Sequence, residues 1–212
     1  NFDDPDVTEL MNSEIPVVTI DYVHHNCTAV TSNNIQGMED LVKYIYSQGH
    51  RKIAYIHGQE GSSVTRDRLA SFYRTIDELG LEIPDTYVRS ADYLETKGSA
   101  KQTKELLNLE DPPTCIIYPD DTALIGGRNV IIEMGLRIPR DISVAGYDGT
   151  MISQLLYPKL TTIRQNTEII GSEAAIRLVG TIEKPRTTLV ERVVIEGILI
   201  PGQSVGKIPE QK

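Results

Sequence analysis

The sequence has no tryptophan, two phenylalanines and two cysteines in 212 residues. Cys27 and Cys115 lie far apart, and Cys115 sits in the apolar run Thr114-Cys115-Ile116-Ile117-Tyr118, so buried, reduced thiols are expected rather than a disulfide framework. No uninterrupted apolar stretch approaches the roughly 18 residues that a membrane-crossing helix needs. Positive charge is also scarce. Lys and Arg number 21 against 30 Asp and Glu, a net charge of −9. Such a surface repels phosphate backbones, which makes these residues alone a poor partner for nucleic acid or an anionic membrane. Gly-x-Gly-x-x-Gly, Gly-x-x-x-x-Gly-Lys-Ser/Thr and Gly-x-Ser-x-Gly are absent, removing the motif grounds for a nucleotide cofactor or a serine nucleophile. His24, His25 and Cys27 lack a second ligand pair and read as a loop, and His50 and His57 flank a strand without a partnered nucleophile. The expectation is therefore no enzyme, no metal and no cofactor. The N-terminus, Asn1-Phe2-Asp3-Asp4-Pro5-Asp6, has neither a start methionine nor the pattern of a signal peptide, and the chain reads as a piece of something longer.

What is present is the profile of a globular protein, 40% hydrophobic and 24% charged, with 16 Gly and 11 Pro. Four short apolar runs, at 15–20, 52–57, 114–118 and 142–147, are rich in Val, Ile and Tyr without strict alternation. They predict parallel strands covered on both faces. Between them Ile35, Met38, Leu41, Val42 and Ile45 form the stripe of a helix stopping at Gly49, and further helices are predicted over 65–79, 121–134 and 167–182. Gly80-Leu81 and Gly135-Leu136 match a Schellman cap, with a left-handed glycine followed by an apolar residue. Strand-rich stretches at 187–195 and 198–200 close the chain. The alternation predicts an α/β fold with doubly wound parallel sheets.

Ligands of such sheets bind beyond the carboxyl ends of the strands. Strand 52–57 leads into the segment holding Arg66, Asp67 and Arg68, strand 114–118 into Asp120 and Asp121, and strand 142–147 into Asp148. A guanidinium fork donates to hydroxyl oxygens and a carboxylate accepts from adjacent hydroxyls, which suits a polyol. Tyr93 and Tyr147 are candidate stacking faces. Arg66, Asp67 and Asp121 fit equally well as solvated caps and surface ion pairs.

Asn33-Asn34-Ile35-Gln36-Gly37 with Gly49-His50-Arg51-Lys52-Ile53-Ala54-Tyr55-Ile56 resembles a stretch of the lactose-repressor and galactose-repressor (LacI/GalR) family of bacterial transcription regulators. Arg68-Leu69-Ala70-Ser71-Phe72, Asp121-Thr122-Ala123-Leu124-Ile125-Gly126, the block from Gly135 to Asp148, Leu160-Thr161-Thr162-Ile163-Arg164-Gln165 with Gly171, and Gly202-Gln203-Ser204-Val205-Gly206 continue the resemblance in order. Asp120 stands where relatives commonly carry Asn, and Ser71 where Gly is usual.

The resemblance implies a type I periplasmic-binding-protein-like effector domain in two lobes, with ligand held between them. Residues 1–32 and 166–196 would form a partial N-terminal lobe with an unpaired edge or exposed apolar face, and 33–165 with 197–212 the C-terminal lobe. The helix-turn-helix headpiece is absent from these residues. Arg68, Asp148, Asp120, Tyr93 and, beside them, Arg66 would bind a small-molecule effector, a sugar by this chemistry. Ala123, Leu124, Gly127, Arg128 and Ile131 resemble part of the family's dimer interface, with plain core burial as the alternative. The function implied is that of the effector-binding and dimerisation domain of a cytoplasmic sugar-responsive repressor, a homodimer reaching operator DNA only through the missing headpiece and having no membrane partner. The alternative is a periplasmic sugar-binding protein of a transport system.

Overall fold

A computed structural model describes residues 5–184 and 189–208. In chain order the helices are α1 (Pro5–Met11), α2 (Asn34–Ser47), α3 (Ser63–Glu78), α4 (Thr96–Leu107), α5 (Asp121–Glu133), α6 (Met151–Leu155) and α7 (Thr167–Glu183). The strands are β1 (Val18–Ile20), β2 (Thr28–Ser32), β3 (Ile53–His57), β4 (Val88–Ser90), β5 (Cys115–Ile117), β6 (Ser143–Ala145), β7 (Thr162–Arg164), β8 (Arg192–Ile195) and β9 (Ile198–Ile200). The chain divides into two compact units, Asn1–Asn34 with Asn166–Glu196, and Ile35–Gln165 with Gly197–Lys212.

The second unit is built on a parallel sheet of order β4-β3-β5-β6. Both faces of its strands are apolar, and successive side chains point to opposite sides. Ile53, Tyr55, Cys115, Ile117 and Ala145 pack with Met38, Leu41, Ile45 and Phe72 of α2 and α3. Ala54, Ile56, Ile116, Tyr118 and Val144 pack with Leu106, Leu124 and Ile131 of α4 and α5. Two cores of this kind are what a doubly wound sheet requires, and each fully buried Ile or Phe contributes about 1.5–3 kcal/mol by leaving water. β7 and β9 add an antiparallel pair.

Gly80 and Gly135 both adopt positive φ, 64° and 75°. The amides of Leu81 and Leu136 reach back to the carbonyls of Ile76 and Ile131, both at 3.0 Å, so the two caps close as Schellman motifs.

The first unit holds a parallel sheet of order β1-β2-β8. Val30, Ile170 and Ala174 form its buried cluster, with Val18, Val193 and Ile195 packed against it. Ile176, Val179 and Ile182 of α7 are exposed. The run at 15–20 forms a strand only over Val18–Ile20, in this sheet and not beside β3, and Ile15 is exposed. Of the stretch at 187–195, residues 187 and 188 lie outside the described residues, and β8 begins at Arg192.

Sequence periodicity misses β2, β4, β7, α1, α4 and α6. Helix α4 is the instructive case. Its buried positions are Ser99, Thr103 and Leu106, a stripe of helical spacing made mostly of small polar residues, which no apolar pattern reveals. Thr103 is satisfied by donating to the Ser99 carbonyl and by its contact with the Tyr118 hydroxyl, each within 2.8 Å.

Candidate functional site

The polar segments meet where the parallel strands of the second unit end. The turn after β3 opens α3, which carries Arg68 on its inner side. The turn after β5 carries Pro119 and Asp120, and that after β6 carries Tyr147 and Asp148.

Arg68 is 2% exposed. Its Nη1 donates to the Pro119 carbonyl at 2.9 Å, its Nη2 lies 3.7 Å from Asp148 Oδ1, and its Cζ sits 3.5 Å over the Tyr147 ring. Burial opposes the guanidinium charge. Attraction from Tyr147, Tyr93, Asp148 and Tyr55 more than offsets it, and the pKa is raised. The fork is thus held by a carbonyl, a carboxylate and an aromatic face, fixed before any ligand arrives.

Asp148 takes a left-handed backbone conformation, φ 93°, uncommon for a residue with a side chain. Its carboxylate accepts from Gln165 Nε2 and is half-buried, leaving it within reach of solvent. Local strain of this kind persists where surrounding contacts hold it, here Gln165 and the backbone bridge to Arg164.

Tyr93 is half-buried, and its hydroxyl pairs with Thr65 Oγ1 at 2.8 Å. Its ring lies against Gly58, where a Cβ would come within 2.1 Å, so only glycine admits the ring at that place. Burial raises the phenol's pKa, against the pull of Arg68 and Thr65.

The structure brings Arg68, Tyr147 and Asp148 into contact and sets Pro119 and Asp120 beside them. Two of the residues expected to bind ligand have other partners in the structure. Asp120 is 1% exposed and caps α5, with Oδ1 accepting from the Ala123 amide and Oδ2 from the Leu94 amide, both at 2.8 Å. It ties the loop after β4 to α5, so both oxygens already accept a backbone hydrogen bond. Arg66 has a side chain 69% exposed and pairs loosely with Asp67 at 3.7 Å, directed away from Arg68 by their spacing of two on a helix.

The expected dimer contacts are corrected as well. Ala123, Leu124, Gly127 and Ile131 are buried within the unit, where α5 packs on α4 and on Tyr118. The core alternative holds for these four. Arg128 alone of the five reaches the surface, where its Nη2 donates to the Tyr157 carbonyl at 3.2 Å.

Sequence reasoning gave no role to Tyr55 or Gln165, and the alternative of a solvated cap for Asp121 is overturned. Tyr55 is fully buried and its hydroxyl has no hydrogen-bond partner among the described residues. Gln165 holds Asp148, and Asp121, far from being solvated, is fully buried. Asp121 accepts from the Thr162 hydroxyl and from the amide and hydroxyl of Thr150, and burial lifts its pKa to about 6. No group of His, Cys, Asp and Glu among the described residues is arranged to hold a metal, and no described helix is long and apolar enough to cross a membrane.

Residues 42–205 match the sequence model of the periplasmic binding protein-like domain. The probable HTH-type transcriptional repressor ExuR of Bacillus subtilis (strain 168) is 30% identical over 189 residues, covering 88% of this chain and 56% of that protein. The HTH-type transcriptional repressor CytR of Escherichia coli (strain K12) is 31% identical over 170 residues, 80% of this chain and 46% of that one. The chain therefore spans about half the length of the curated relatives it matches. The crystal structure of a transcriptional regulator LacI from Bacillus cereus subsp. cytotoxis NVH 391-98 superposes with a TM-score of 0.90 at 27% identity, over 98% of this chain and 74% of that one.

Proposed function

Because the chain belongs to the periplasmic binding protein-like domain family, and its relatives are repressors, we propose that it is the effector-binding part of a LacI-type transcription regulator. The observation that carries this is the buried Arg68 fork, held over Tyr147 and next to the half-buried Asp148 at the carboxyl ends of the strands. Arg68 would donate to ligand oxygens, Asp148 would accept from hydroxyls, and Tyr93 would offer an apolar face. A sugar meets all three requirements. The two units are the two lobes of such a domain, and ligand binding would be converted into a change of operator affinity through a headpiece lying outside these residues. The reading that the chain serves a transporter is the weaker one, since the relatives are repressors.

The protein would act as a homodimer. On the second unit, Met151, Leu155 and Tyr157 are 78%, 75% and 81% exposed, in and after α6 beside α5. An apolar surface of that kind is the natural seat for a second copy, in place of the buried α5 face.

Calorimetry against a panel of pentoses, hexoses and uronic acids tests the effector site. Arg68→Ala should weaken the best ligand about tenfold or more, since a buried charged hydrogen bond is worth roughly 1.5–3 kcal/mol. Asp148→Asn, which preserves shape, should weaken it as well. Affinity unchanged in both variants removes this rim from the ligand site.

A further inference from the structure

A second cluster of charge stands at the edge of the four-stranded sheet. β4 is its edge strand, and α4 runs beside it. Arg89 of β4, with Lys101, Lys104, Glu105, Asn108 and Leu109 from α4 and the turn after it, lines a cavity of about 480 Å³. None of these six belongs to the Arg68 cluster. Lys101, Lys104 and Asn108 follow one another at spacings of three and four, so they share one face of the helix.

Arg89 Nε is buried with no hydrogen-bond partner among the described residues. A buried donor left unpaired is costly, and such a group in a native fold is commonly answered by water or a ligand. Neither Arg89 nor the two lysines has an ion pair among the described residues. Three cations against Glu105 leave a local charge of +2 in a chain whose net charge is −9. Aliphatic stems of the long side chains supply the walls. The volume falls in the range of roughly 300–1,000 Å³ typical of small-metabolite sites.

We propose that this edge is a second small-molecule site and that its ligand is a phosphate dianion, free or as the monoester of a small metabolite. A phosphate presents enough acceptor oxygens to take the Arg89 guanidinium and both ammonium groups at once, and its two charges match the surplus. A neutral sugar leaves that surplus unanswered. A polyanion is disfavoured by the net charge of −9 on the chain as a whole.

The test titrates the intact chain with inorganic phosphate, a hexose phosphate and the corresponding free hexose, by calorimetry and by NMR of the arginine Nε signals. Hexose phosphate should bind, more weakly as salt rises, and should shift the Arg89 resonance. Arg89→Gln should reduce that affinity about tenfold or more. The exposed double substitution Lys101→Gln with Lys104→Gln, which leaves the core untouched, should reduce it similarly, while saturating free hexose, which occupies the Arg68 rim, should not displace inorganic phosphate. With free hexose saturating the Arg68 rim, tighter binding of the hexose phosphate than of inorganic phosphate assigns the site to a metabolite, and equal binding assigns it to the free ion. The proposal is overturned if neither binds at millimolar concentration, if affinity survives both sets of substitutions, or if free hexose displaces inorganic phosphate. Binding of an acidic peptide in place of either phosphate also overturns it.

Discussion

At the scale of single residues, neighbours separate the carboxylates that the sequence sets side by side. Asp120 and Asp121 are adjacent, yet the first serves as a helix cap while the second is buried among Thr150 and Thr162. Asp121 is held at about 6 against an ordinary value of 3.8, chiefly because burial disfavours its charge. A raised carboxyl pKa means that the folded state binds the extra proton, so its contribution to stability is complete below about 3.8 and is lost as pH rises toward 6. The loss should amount to about 3 kcal/mol, since a tenfold change in proton affinity corresponds to roughly 1.36 kcal/mol. Asp141 works in a lower window, because the Arg137 side chain holds it down to about 2, so its contribution is lost only as pH falls through that lower range. Burial lowers the pKa of His50, which favours folding as pH climbs past the ordinary histidine value. Urea unfolding of the wild type between pH 4 and 6, compared with Asp121→Asn, isolates the contribution of Asp121. The decline should vanish in the variant, and an unchanged slope would assign it to another group.

At the scale of elements, close approach of helices sets demands that propensity does not foresee. A Cβ on Gly126 of α5 would lie 2.0 Å from the Thr96 carbonyl oxygen at the start of α4, a contact with backbone that cannot rotate away. Gly126→Ala should therefore destabilise by about 1–3 kcal/mol or more, the range of overpacked cores. A Cβ on Gly180 of α7 would meet nothing within 4 Å. There Gly180→Ala should raise stability by about 0.5–1 kcal/mol, through reduced freedom of the unfolded chain. Denaturation midpoints moving in the same direction for both variants would contradict this account.

At the scale of the whole molecule, the exposed apolar side chains around α6 would carry the proposed self-association. Sedimentation velocity should find a species near twice the 23.6 kDa of the chain, and Leu155→Asp with Tyr157→Asp should shift it to the monomer without loss of helical signal. A monomer in the wild type would remove the second copy from this surface. The helix first expected to form the contact, α5, lies beside this surface, but its Ala123, Leu124 and Ile131 are taken up by the core. Apolar spacing on α5 marks a buried stripe without saying whether the covering surface belongs to the same chain, and α4 supplies it here.

The sequence by itself determined the alternation of strands and helices, their glycine caps and the convergence of Arg68 and Asp148, because period, capping and strand-end placement are local properties written in consecutive residues. Tertiary structure alone decided the rest. It set which carboxylate meets solvent and which caps a helix, placed Tyr147 beneath Arg68, and allowed Ser99 and Thr103 to serve as core. The physical reason is that burial, hydrogen-bond satisfaction and proton affinity depend on groups distant in the chain, and these become neighbours only when the sheet and its two helical layers close.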